Sequence, residues 1–171
     1  LDGIIDASQK PREMMENIKT NVKDWKDEEE VRAYLTKILR KEAFDRAGLI
    51  YGVGHAVYTL SDPRAILLQE KAAELAVEKG LETEFGLYRI VARQAPEVFK
   101  KEKNSNKVVA ANVDFYSGFV YQMLNIPTEM YTPIFCIART AGWAAHRIEE
   151  LVSGARIIRP AYRDVLKNRP Y

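Results

Sequence analysis

Glu28-Glu29-Glu30-Val31-Arg32-Ala33-Tyr34-Leu35-Thr36-Lys37-Ile38-Leu39-Arg40-Lys41-Glu42-Ala43-Phe44 carries Val31, Tyr34, Leu35, Ile38 and Leu39 at i, i+3, i+4, i+7 and i+8. That spacing puts one apolar stripe on a charged rod, an amphipathic helix that needs a partner to cover it. The same rhythm extends in both directions. A helix is expected over Lys10 to Val22, with Pro11 in a first turn that needs no backbone donor. Another runs from Asp62-Pro63, a cap followed by a first-turn proline, to about Lys79, with Gly80 as its C-terminal cap. Glu82 to Glu102 also reads as helical, but Pro96 removes a helix hydrogen bond, so two short helices meeting near Gln94-Ala95 are expected. Lys100 to Lys107 reads as a basic loop and Val108 to Val113 as briefly strand-like. Phe115 to Leu124 reads as an apolar helix, and Thr132-Pro133 opens a long one to about Val152, ended by Gly154. The expected fold class is all-α, followed by an irregular basic tail from Ala155 to Tyr171.

The chain has 171 residues, 47% of them hydrophobic, with nine Tyr, six Phe and two Trp. This is enough for one domain or slightly more with a real core, and it excludes a disordered or fibrous chain. Twenty-six Lys+Arg stand against 24 Asp+Glu, a formal charge of +2. Positive charge is answered locally by carboxylates, so bulk-charge attraction to nucleic acid or a membrane surface is not expected. No run of 18 uncharged apolar residues suggests a spanning helix, and no signal-peptide pattern is present. One cysteine, Cys136, lies in an apolar run and is expected to be a buried, inert thiol. Cysteine usage points to the cytoplasm. The opening Leu1-Asp2-Gly3-Ile4-Ile5-Asp6 reads as part of a longer chain.

Some residues suggest chemistry. Tyr51-Gly52-Val53-Gly54-His55-Ala56-Val57 sets two glycines and a histidine in a loop, where glycine lets a ligand approach the main chain. A third glycine and a Gly-Lys-Ser/Thr ending are absent, and so is a preceding strand, so dinucleotide and P-loop readings fail. His55 is either a loop histidine satisfied by backbone or a catalytic group. Arg64, Arg139 and Arg159 stand out among the cations. Arg139 falls in the stripe Phe135, Arg139, Gly142, His146, where a guanidinium needs an acceptor: an anion, or a structural carboxylate such as Glu149 or Glu150. Converging arginine forks suit a ligand with several carboxylates. Asp114 stands where a helix begins, as a cap or as a base tuned by helix field and apolar surroundings. His146 lacks a second histidine or cysteine at ligand spacing, so no metal site is expected.

In order, Gly52-Val53-Gly54-His55-Ala56-Val57-Tyr58, Ser61-Asp62-Pro63-Arg64, Asn112-Val113-Asp114-Phe115-Tyr116-Ser117-Gly118, Arg139-Thr140-Ala141-Gly142-Trp143 and Arg159-Pro160 closely resemble the citrate synthase family. The likeness runs over essentially the whole chain. It implies an all-helical acyltransferase of the tricarboxylic acid cycle that condenses acetyl-CoA with oxaloacetate to citrate and CoA, with no tightly bound cofactor. His55 would polarise the oxaloacetate carbonyl and Asp114 would deprotonate the acetyl methyl, while Arg64 and Arg139 would clamp carboxylates. Arg159 would reach a neighbouring subunit's site in a homodimer. Tyr51, Gly52, Val53 and Gly54 would recognise the adenine of CoA. The resemblance also implies that residues 1–126 are the family's small domain and residues 127–171 the last helix and tail of its large domain. The family's second active-site histidine lies in a His-Gly-Gly-Ala-Asn type segment not found here, so the isolated chain is expected to be nearly inactive. Two departures stand out. Thr59 replaces a basic residue that contacts CoA phosphates, a role Lys103 or Lys107 could take over. Ala111 replaces a proline before Asn-Val-Asp. Three alternatives are 2-methylcitrate synthase, the related module of ATP-citrate lyase, and a non-catalytic helical assembly module. The last must explain five polar groups that are costly to bury.

Overall fold

The computed structural model describes residues 9–56, 58, 60–105 and 108–154. Among the described residues there are six α-helices and no strand: α1 (Gln9–Asn21), α2 (Glu28–Leu39), α3 (Pro63–Lys79), α4 (Glu82–Lys103), α5 (Val113–Met123) and α6 (Tyr131–Ser153), the last preceded by a 3-10 turn at Thr128–Met130. The chain forms two compact units, Leu1–Ile134 and Phe135–Tyr171.

Helix α2 is capped as its sequence dictates, with the Asp27 carboxylate accepting from the Glu29 and Glu30 amides. Its stripe is buried through Val31, Leu35, Ile38 and Leu39. It ends at Leu39, five residues short of the expected Phe44. Lys41 turns left-handed at φ 65°, and the Lys41 and Glu42 amides return to Ile38 O and Lys37 O at 3.1 and 2.9 Å. This is a Schellman closure with lysine where glycine usually stands, so composition gave no stop signal. Helix α3 closes the same way on the expected Gly80, at φ 68°.

Pro96 does not divide Glu82–Lys103; α4 is one helix of 22 residues. One lost backbone bond is outweighed because residues on both sides of Pro96 share a single buried face, Tyr88 and Val91 before it and Val98 after it. Helix α2 also clamps both halves. Arg93 pairs with Glu28, Gln94 donates to Glu28 Oε2 at 2.6 Å and accepts from Arg32 Nε at 2.9 Å, and beyond the proline Arg40 holds Glu102 through two bonds of 2.7 and 3.1 Å. The expected loop at Lys100 therefore begins only at Asn104, a left-handed C-cap. The strand-like Val108 to Val113 reduces to a single antiparallel bridge, Val53 to Ala111.

The core of the first unit closes around α5, which packs against α3 and α1. Phe119 is fully buried, its ring centroid 4.6 Å from Tyr88 and 6.1 Å from Phe85, and Phe115 meets Tyr88 edge-on at 5.4 Å. Helix α6 begins one residue before the expected Thr132-Pro133 start. Tyr131 is buried, with its ring 4.9 Å from Tyr121 and its hydroxyl donating to Gly118 O at 3.3 Å. In the second unit α6 continues to Ser153, and Gly154 is left-handed at φ 65°. Cys136 is half-buried rather than buried, because the helix around it presents Ile137 and Arg139 outward. Among the described residues no helix is long and apolar enough to cross a membrane.

Candidate active site

Two helix starts and one loop build the site. Helix α5 begins at Val113 with Asn112 as N-cap, whose side chain accepts from the Asp114 amide at 3.0 Å. Asp114 is therefore not the cap. Its carboxylate is left to a half-buried position in the first turn. Burial is the main influence on it and pushes its carboxyl above the ordinary carboxylate range. Arg64 opposes this, the nearby Asp62 charge adds to it, and His55 opposes it when protonated.

The loop 51–54 lies against this helix start. Gly52 and Gly54 have φ 77° and 95°. A Cβ on Gly52 would come within 2.8 Å of Phe115 Cα and Cβ, so both the backbone conformation and the space require glycine. Gly54 N donates to Ala110 O at 2.7 Å, Asn112 N to Gly52 O at 2.8 Å, and the Asn112 side-chain amide to Gly54 O at 2.8 Å. These bonds bracket Val53 as a non-bonded pair with Ala111, so the Val53 amide and carbonyl face away from the 110–112 segment. Tyr51 directs its hydroxyl to Asp45 Oδ2 at 2.6 Å.

His55 follows the loop. The Tyr58 amide donates to His55 Nδ1 at 3.1 Å, and the two rings lie 4.9 Å apart. With Nδ1 accepting, the neutral imidazole carries its proton on Nε2. Nε2 lies 3.5 Å from Arg64 Nη2, so an imidazole N–H and a guanidinium N–H converge where a carbonyl or carboxylate oxygen would satisfy both. Arg64 also stands over the Tyr58 ring at 5.4 Å.

Arg64 is held by Asp62, which sequence reasoning treated only as a cap. Asp62 is buried, and its carboxyl pairs with both Nε and Nη2 of Arg64 at 3.0 and 2.9 Å. That pairing keeps Asp62 below the ordinary carboxylate range against the effect of burial, and it raises Arg64 further. Tyr58 and Asn112 also support the site, and neither residue type signals that role from sequence alone. The available signal was position: each lies within three residues of a candidate group.

The structure thus brings His55, Arg64 and Asp114 together, with loop 51–54 beside them. Arg139 lies in the second unit, exposed, its guanidinium 4.8 Å from the Phe135 ring. The expectation of an apolar setting for it is corrected, because that part of α6 is largely exposed. The suggested carboxylates are engaged elsewhere, Glu150 with Arg147 at 2.6 Å and Glu149 with His146 at 3.7 Å. Lys103 is exposed in the last turn of α4. Lys107, Thr59 and Arg159 lie outside the described residues. Among the described residues no cluster of His, Cys, Asp and Glu could hold a metal ion.

The family model described as citrate synthase, C-terminal domain, matches residues 5–161. The chain is 42% identical to a citrate synthase of Synechocystis sp. over 132 residues, 77% of this chain and 30% of that protein. It is 36% identical to a 2-methylcitrate synthase of Shewanella oneidensis over 141 residues, 82% and 34% of the respective chains. The chain spans about a third of the length of the curated relatives it matches. Among solved structures, citrate synthase from Pyrobaculum aerophilum aligns with TM-score 0.57 at 28% identity, over 90% of this chain and 38% of that one. The fold also matches that of the Thermoplasma acidophilum enzyme, solved as a ternary complex with carboxymethyl coenzyme A and oxaloacetate, at TM-score 0.62 and 24% identity, over 99% of this chain and 40% of that one. An all-helical fold with a histidine, an arginine and a raised carboxylate converging at two helix starts, together with this match over nearly the whole chain, makes the protein a member of the citrate synthase family through its C-terminal domain.

Proposed function

We propose that the chain is the C-terminal catalytic portion of a citrate synthase, in which acetyl-CoA and oxaloacetate give citrate and CoA with consumption of one water. The carrying observation is the convergence of His55 Nε2 and Arg64 Nη2 within 3.5 Å beside a burial-raised Asp114. An acetyl methyl is a weak carbon acid, so its deprotonation needs a carboxylate of raised basicity, and Asp114 has that setting. The electrophile needs its carbonyl oxygen met by a donor, which the Nε2–H of His55 supplies. The methyl proton passes to Asp114, the resulting enolate carbon bonds to the oxaloacetate carbonyl carbon, and that oxygen takes up a proton. Hydrolysis of the citryl thioester then releases CoA. Arg64 binds a substrate carboxylate, and Arg139, with Arg159 of a second subunit in a homodimer, completes the clamp. The outward main-chain groups of Val53, within the loop Tyr51, Gly52, Val53 and Gly54, contact the adenine of CoA, and Lys103 and Lys107 meet its phosphates. CoA is a co-substrate here, and no tightly held cofactor is invoked. Residues 1–126 act as the small domain and 127–171 as the last helix and tail of the large domain, with activity requiring the enzyme's N-terminal half.

The 2-methylcitrate synthase relative supports a second reading in which propionyl-CoA is the acyl donor. One methylene in an acyl pocket is worth only about 1–3 kcal/mol, so the same site chemistry serves either donor. Oxaloacetate-dependent thiol release by the complete protein distinguishes the two. The proposal expects a kcat/KM for acetyl-CoA roughly tenfold or more above that for propionyl-CoA. The reverse ratio selects the second reading, and release from neither donor refutes both.

A further inference from the structure

We propose that Asp62 is the positioning residue of this site, a single buried carboxylate that fixes both the Arg64 fork and the helix start carrying Asp114. An N-cap carboxylate needs one amide, but this one receives four donors. Oδ1 accepts from Arg64 N and Arg64 Nε, each at 3.0 Å. Oδ2 accepts from Arg64 Nη2 at 2.9 Å and from Val113 N at 3.2 Å. The last bond crosses 51 residues of chain to the first residue of α5. Val113 N is one of the amides that a helix start leaves without an internal partner. Asn112 caps the Asp114 amide, so Asp62 and Asn112 together satisfy successive amides of that first turn.

Two consequences follow from this geometry. Arg64, although its side chain is 45% exposed, is tethered through two of its guanidinium nitrogens to a partner that is 2% exposed, which leaves its remaining N–H groups in a fixed direction. The helix starts of α3 and α5 are tied through one carboxylate, so Arg64 and Asp114 share a common anchor. Asp62 touches no substrate in this account. It sets the distance between the groups that do.

Asparagine keeps the N-cap but has only one acceptor oxygen, so in Asp62→Asn two of the four donors face an NH2 group. In the second variant, Asp62→Ser, the side chain still caps but is too short to reach the Arg64 guanidinium and Val113. The charged groups acting on Asp114 are Arg64, Asp62 and His55, and Asp114 in turn acts on Tyr121. Removing the Asp62 charge removes a repulsion and unmasks Arg64, and both effects move the Asp114 titration to lower pH. Because the inference rests on Arg64 and Asp114 being site groups, the test avoids turnover, and its failure is separable from failure of the catalytic reading. Carboxyl-carbon NMR titration of Asp114 and hydrogen exchange of the Val113 amide are measured in the chain and in both variants. The expected results are an Asp114 ionisation constant larger on the order of tenfold and Val113 exchange about tenfold faster. Unchanged Asp114 titration and Val113 exchange in a folded variant overturn the proposal. Global unfolding of both variants also overturns it, assigning Asp62 to the stability of the fold alone.

Discussion

Asp114→Asn is expected to lower kcat of the complete enzyme about 10²- to 10⁴-fold while leaving the KM for oxaloacetate within a few fold, because under the proposed function a positioned general base contributes that much and oxaloacetate is held by other groups. Asparagine matches the shape of aspartate but cannot accept a proton from a carbon acid. The same substitution does not cost the fold its stability. Burial raises the Asp114 pKa in the folded chain, so the protonated form is the one the fold favours. Its favourable contribution is fully present below the ordinary carboxylate value and is lost as pH rises through the raised folded value. Once ionised, the side chain is therefore a net burden to the fold. Loss of its charge near the start of α5 offsets only about 0.3–1 kcal/mol. Thermal melts at pH 7 are expected to place the variant at or slightly above the parent, and a large loss of stability would reassign Asp114 to a structural role.

Phe119→Ala is expected to cost about 3–5 kcal/mol, a large share of the stability of a domain this size. Phe119 has no exposed surface and stacks between Phe85 and Tyr88, at the place where α5 meets α4. The neighbouring rings sit on a helix clamped by α2, so the cavity closes only in part. Denaturant unfolding should show a lower midpoint with an unchanged slope. Val77→Ala, on the exposed side of α3, should change stability by no more than about 0.5 kcal/mol. Asp114→Asn therefore acts on turnover with the fold intact, and Phe119→Ala acts on the stability of the scaffold.

Helix existence was legible wherever an apolar stripe or a capping residue marked it, as in α2 and in the Asp62-Pro63 start of α3. What escaped were effects of tertiary packing. Pro96 is a local breaker, but the buried face shared by Tyr88, Val91 and Val98, and the α2 clamps at Glu28 and Arg40, outweigh its one lost bond. Lys41 ends α2 in a conformation that no composition rule assigns to lysine. In the candidate site, the ordered motifs pointed to His55, Arg64 and Asp114, which lie near one another. They left open whether Asp114 is cap or base, because that depends on which neighbouring residue takes the cap. Asn112 takes it, which leaves the Asp114 carboxylate without the capping bond. Asp62 was visible only as a cap, since its bond to Val113 joins residues far apart in sequence. Arg139 and Cys136 were assigned to apolar surroundings from their neighbours in sequence, yet on α6 they are exposed and half-buried.

The central claim is that Asp114, held above the ordinary carboxylate range by burial, is the base that opens the condensation. The pH dependence of kcat/KM for acetyl-CoA in the complete enzyme at saturating oxaloacetate tests it most directly, because activity should rise as this carboxyl ionises. The account predicts a rising limb with its midpoint above the ordinary aspartate value of about 3.9, moving to lower pH in Asp62→Asn. A limb at or below that value, or a profile that Asp62→Asn leaves in place, would contradict it.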